Sequence, residues 1–315
     1  MSSINTADLI GELHRRGAHR VALQLPEGLK RQGAGLAGDL KAAGFSVILS
    51  GDPCYGACDL ALSALAEADV LVHIGHTPVE DHPQVICLPF EQDFDLSSLD
   101  QAIPLLQERR IGLITTVQHA HLLAAAAQYL ADHGIEAVIR DGAGRTPAAG
   151  QVLGCTYRAA RIDGVNEILF IGTGLFHPIG VQLATGKRVI ALDPFTRNAG
   201  VVDSSRLLRR RFGLIEQAKE AESYGILLST KSGQRRAALA ERLASLDDRA
   251  MIVTLQEVSP DALLNLGFGC YVNTACPRIA YDDQVRFPVP VITPEEFEIV
   301  CGQRNWDDYA VDEIR

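Results

Sequence analysis

The run Arg20-Val21-Ala22-Leu23-Gln24-Leu25-Pro26-Glu27-Gly28 begins as a short apolar strand and is stopped by a proline and a glycine, the chemistry of a strand-to-helix turn. Helical sequence follows at 36–43, and a second apolar run stands at 46–50. Val/Ile/Leu-rich runs alternating with alanine-rich segments predict parallel strands joined by crossover helices, hence an α/β class. The alternation continues with a helix at 60–66 and strands at 70–74 and 85–88. It recurs with strands at 111–117, 137–140, 167–171 and 188–192 and a helix at 120–131. After a basic helix at 205–221 it returns again, with strands at 225–229, 250–255, 269–273 and 289–292 and a helix at 235–244. Three rounds of four strands predict three similar small domains, at 1–104, 105–205 and 206–315, each with a mainly parallel four-stranded sheet. Pseudo-threefold packing would bring their strand-end loops together.

Composition narrows the function. The 315 residues carry 29 Lys and Arg against 39 Asp and Glu, a formal charge of −10, which repels polyphosphate and argues against nucleic acid as a direct partner. The start of the chain lacks a basic stretch followed by an apolar core, and no apolar run approaches the roughly 18–20 residues that span a bilayer. A cytoplasmic protein without a membrane contact is expected. Seven cysteines in such a chain favour free thiols, metal ligands or catalysis over a disulfide framework.

Ligands of parallel sheets bind beyond the carboxyl ends of the strands, so the chemistry is sought there. Cys54 and Cys58 share the loop Gly51-Asp52-Pro53-Cys54-Tyr55-Gly56-Ala57-Cys58-Asp59; Cys155 follows Leu153-Gly154 and Cys276 precedes Pro277-Arg278. Taking Cys58 with Cys155 and Cys276 gives one thiol per domain, and convergent loops would let three soft thiolates bind an iron–sulfur cluster or zinc. Cys54 could replace Cys58 if the loop turned differently. Cys87, Cys270 and Cys301 lie in apolar sequence and read as packing residues. Gly75-His76, Gly172-Thr173-Gly174 with His177, and Asp193 mark further strand ends, whose glycines admit a ligand and whose histidines donate hydrogen bonds or protons. The basic cluster 206–211 reads as a solvated helix face, and Lys231-Ser232-Gly233-Gln234 as an anion-binding turn without P-loop spacing.

Five segments occur in order: Gln24-Leu25-Pro26-Glu27-Gly28, Tyr55-Gly56-Ala57-Cys58-Asp59, His73-Ile74-Gly75-His76, Val152-Leu153-Gly154-Cys155-Thr156 and Ala275-Cys276-Pro277-Arg278-Ile279. The set resembles the diphthamide-synthesis family of noncanonical radical S-adenosylmethionine enzymes, in its archaeal homodimeric form. The resemblance implies that Cys58, Cys155 and Cys276 bind a [4Fe-4S] cluster with one iron open. It implies transfer of the 3-amino-3-carboxypropyl group of S-adenosylmethionine, the cosubstrate, to a histidine of translation elongation factor 2. It also implies a homodimer and a separate electron donor. Pro26, Glu27, Gly28, His76, Gly172, Thr173, His177 and Asp193 are expected near the S-adenosylmethionine pocket. Alternatives are an Fe–S dehydratase similar to quinolinate synthase, which also has three α/β domains with one cysteine each, and a metal-stabilised adaptor without catalysis.

Overall fold

A computed structural model describes residues 6–314. Its first sheet contains β1 (Arg20–Gln24), β2 (Ser46–Leu49), β3 (Val70–Gly75) and β4 (Val85–Pro89), all parallel, in the order β2-β1-β3-β4. Alternation on β1 covers both faces. Val21 and Leu23 join the core under α1 (Thr6–Arg15) and α2 (Gly33–Ala42), while Ala22 joins Leu71 on the other side, against the turn Leu62–Ala66. That turn is a 3-10 helix rather than the helix expected at 60–66.

The second sheet contains β5 (Arg110–Thr115), β6 (Glu136–Val138), β7 (Glu167–Ile171), β8 (Arg188–Asp193) and β9 (Asn198–Val201), in the order β6-β5-β7-β8-β9. Helix α3 (Leu123–Asp132) leads into β6, and α4 (Phe176–Thr185) joins β7 to β8. This sheet corrects the expected four strands to five, because β9 returns antiparallel on β8 through a short turn. Asn198-Ala199-Gly200 has no apolar run by which a strand would be recognised.

Helix α5 (Ser205–Lys219) precedes a third sheet of β10 (Tyr224–Ser229), β11 (Ala250–Leu255), β12 (Cys270–Asn273) and β13 (Val291–Ile292), ordered β11-β10-β12-β13 and parallel throughout. Helices α6 (Ala237–Ala244), α7 (Pro260–Leu266), α8 (Pro277–Tyr281) and α9 (Pro294–Val300) complete it. The same strand order thus occurs three times, with β9 as the addition.

Arg211 on α5 corrects the solvated reading of the basic cluster. It is 1% exposed, makes a buried bidentate pair with Glu296 and donates to the carbonyls of Ala280 (2.6 Å) and Val291 (3.0 Å). Arg206, Arg209 and Arg210 do face solvent. Four hydrogen bonds from this guanidinium join α5 to α8 and α9, where an unpaired charge would be costly. The C-terminal segment ties back across the molecule: Ile314 N donates to Cys155 O (2.7 Å), and Asp312 pairs with Arg236 (2.6 Å).

Candidate metal centre

Cys58, Cys155 and Cys276 all line one cavity of about 260 Å³. Each is held by its own local device. Asp59 N donates to Gly56 O (3.0 Å), closing the turn that carries Cys58. Leu153 and Thr156 exchange backbone hydrogen bonds (3.2 Å each), so Gly154 and Cys155 form the tip of a two-residue hairpin. Gly154 must lack a Cβ, which would stand 2.1 Å from the Phe176 ring. Cys276 caps α8 with Pro277 behind it, and Asn273 braces the turn by donating to Cys276 O (2.8 Å) and accepting from Ala275 N (3.1 Å). Cys58 follows β2, Cys155 follows β6, and Cys276 follows β12, the third strand of its sheet by sequence. The three cysteine positions are therefore not topologically equivalent.

Burial pushes all three thiols upward. Cys155 reaches about 11, with Arg145 pulling the other way and Cys58 adding to the rise. Burial also raises Cys58, opposed by a hydrogen bond from Gln234 (3.4 Å) and by Arg145. Cys276 is raised first by burial and then by Cys58 and Cys155. Thiols that raise one another are close enough to repel as thiolates, so loading a metal must expel their protons and offset their charge. Arg145 supplies positive charge at this place. It donates to Gly233 O (2.9 Å), yet its buried Nε has no partner among the described residues. Three soft donors on one cavity beside a cation with an unused N–H fit an anionic iron–sulfur cluster.

Of the other expected residues, His76 and His177 line this cavity with Phe176 and Arg278. Burial lowers His177 to about 4, with the Arg278 charge acting in the same direction, and its ring stacks on Phe170. Thr173 lines an adjoining cavity of about 530 Å³ that shares Phe176, His177 and Arg278. Gly172, at φ +155, turns over the Phe170 ring with no room for a Cβ. The four other expected residues do not line this cavity. Pro26 packs its ring on Gly75, Glu27 pairs with Lys30 (2.7 Å), and Gly28 sits in the 3-10 turn Glu27–Gln32, all outside the cavity lining. Asp193 spends its carboxylate on Phe195 N (3.0 Å) and Thr196 N (3.2 Å), where β8 turns into β9.

Lys231 does not wait for an anion, because Asp59 (3.0 Å) and Glu257 (2.8 Å) occupy it. The turn it begins instead packs against the Cys58 loop, with Gly233 so close that a Cβ would lie 2.6 Å from Cys58 Cα. Arg145 escaped sequence reading because it belongs to no motif, and Gln234 was visible only as the end of the 231–234 turn, not as a partner of Cys58. Their roles exist only once separate sheets meet.

A family model described as "Putative diphthamide synthesis protein" matches residues 25–311. The chain belongs to the diphthamide synthesis family. The 2-(3-amino-3-carboxypropyl)histidine synthase of Pyrococcus horikoshii is 37% identical over all of this chain and 94% of its own length. A synthase of the same name from Methanocaldococcus jannaschii is 25% identical over 94% of this chain and 88% of its own. The crystal structure of Dph2 from P. horikoshii with a 4Fe-4S cluster superposes with a TM-score of 0.93 at 38% identity, covering 99% of this chain and 94% of that one. This diphthamide synthesis family member therefore shares its fold end to end with a cluster-bearing protein.

Proposed function

We propose that this chain transfers the 3-amino-3-carboxypropyl group of S-adenosylmethionine to a histidine carbon of translation elongation factor 2 by radical chemistry, the first step of diphthamide biosynthesis. The observation that carries this is the meeting of Cys58, Cys155 and Cys276 at one cavity in a family member. These thiolates would hold a [4Fe-4S] cluster, giving three protein donors for its four irons. When bound, the cluster supplies the electron that cleaves the sulfonium bond to the transferred carbon and the position that anchors S-adenosylmethionine.

The chain's own residues bind, orient and shield. Val79, Leu153 and Phe176 put apolar surface around the centre, limiting the water that would quench a carbon radical. Arg145 and Arg278 supply positive charge, the first towards the thiolates and the second towards a substrate carboxylate. The sulfonium must be held so that the bond to the aminocarboxypropyl carbon, rather than another of its three, is the one presented for cleavage. The acceptor arrives as a histidine-bearing loop of the protein substrate. The enzyme pairs with a second copy of itself and takes its electron from a separate donor.

Anaerobically reconstituted protein, given reductant, S-adenosylmethionine and elongation factor 2, is expected to release methylthioadenosine and add an aminocarboxypropyl group to a histidine, read by mass spectrometry. Factor binding without modification by cluster-loaded, reduced protein would overturn this reading in favour of an adaptor. Pyridine-dicarboxylate formation would point to the dehydratase.

A further inference from the structure

We propose that His76 accepts the proton released in the transfer, and that Gln24 and His73 are positioning residues that fix His76 in the tautomer able to do so. The inference rests on the proposed reaction and deepens it. Three hydrogen bonds set the tautomers. Gln24 Nε2 donates to Asp59 O (2.6 Å) and Gln24 Oε1 accepts from Ala61 N (3.0 Å), so the amide has one orientation. His73 Nδ1 lies 2.8 Å from Oε1 and must carry a hydrogen. Burial lowers His73 to about 3, with His76 adding to the shift, and burial lowers His76 to about 4. Both rings are therefore neutral at physiological pH. His73 Nε2 is then bare, and His76 Nδ1, 2.9 Å away, must donate to it. His76 Nε2 is left as a lone pair on a residue that lines the cysteine cavity.

Cys54 Sγ lies near these nitrogens, and the three donor atoms fall within 4.8 Å of one another. Distance decides against a shared ion. Two nitrogens on a tetrahedral zinc at about 2.0–2.1 Å would stand about 3.3 Å apart, whereas 2.9 Å is a hydrogen-bond length. Burial holds the Cys54 thiol at about 12, so it stays protonated.

The reaction needs the lone pair. In each transfer the sulfonium S–C bond breaks, a C–C bond forms at the acceptor imidazole and the C–H bond there breaks. The hydrogen leaves as a proton, and the electron used in cleavage is returned. The whole is redox-neutral: a sulfonium becomes a thioether and one proton is released. Val79, Leu153 and Phe176 put apolar surface on this cavity, where a fixed acceptor within reach takes that proton more efficiently than bulk water.

The tautomer can be read before any iron is added. Long-range proton–nitrogen NMR of the full chain labelled with 15N-histidine is expected to show His76 Nδ1 protonated and Nε2 bare. A protonated Nε2 would overturn the relay. In holoenzyme, His76→Gln is expected to keep its cluster spectrum while adduct formed per methylthioadenosine falls about 10²-fold, with partial rescue by added imidazole. His73→Leu, which frees His76 but keeps it, is expected to lower the same ratio less. An unchanged ratio in His76→Gln, or an equal fall of both products, overturns the proton-acceptor role. If wild-type protein releases no methylthioadenosine, the proposed reaction itself fails, an outcome separate from the NMR result.

Discussion

The proposed chemistry depends on sulfur atoms that are distant in the chain and line one cavity in the fold. Cys58→Ala, Cys155→Ala or Cys276→Ala is expected to abolish both iron binding and transfer, read by iron content and adduct mass. Cys87→Ala and Cys301→Ala are expected to retain both, since these half-buried thiols sit away from the cavity lining. Arg145→Gln removes a cation beside the thiolates. It is expected to lower the cluster's reduction potential by on the order of tens of millivolts, measured by redox titration of the visible spectrum, because added electron density is then less well offset. Cysteine context was legible because Gly-Cys and Cys-Pro turns follow strands. Arg145 was not, because an arginine in a loop looks like any solvated charge until its Nε is found buried.

At the scale of elements, close approach sets the site. The turn Ser232–Gln234 leans on the Cys58 loop at Gly233, where any side chain meets backbone rather than a movable group. Gly233→Ala is expected to cost about 1–3 kcal/mol by overpacking, seen as a lower urea midpoint and a lower iron content per chain. Parallel strands could be read because each was an apolar run between glycine or proline stops. The antiparallel β9 and the 3-10 turn Leu62–Ala66 could not, since Asn198–Val201 is short and polar at its start and Leu62–Ala66 has the composition of a helix. Arg211 misled for a related reason. Spacing placed it on an amphipathic face, but its partner Glu296 lies 85 residues away.

Over the whole molecule, long-range polar ties hold the cysteine loops in register. Asp312 bonds Arg236, which also donates to the carbonyls of Thr274 (2.7 Å) and Ala275 (3.2 Å), just before Cys276. Asp312→Ala leaves a largely buried guanidinium unpaired and is expected to destabilise the chain by about 3–5 kcal/mol, checked by denaturant unfolding of the cluster-free protein. Three sheets could be counted from the sequence, but their mutual placement could not, because contacts such as Ile314 to Cys155 involve residues without motif or periodicity. The proposed centre, with ligands from three separate lobes, would also be an inorganic crosslink. Oxygen that bleaches it would unlatch the lobes as well as stop catalysis, leaving a looser chain whose faster amide exchange and easier proteolytic nicking would mark spent enzyme for turnover.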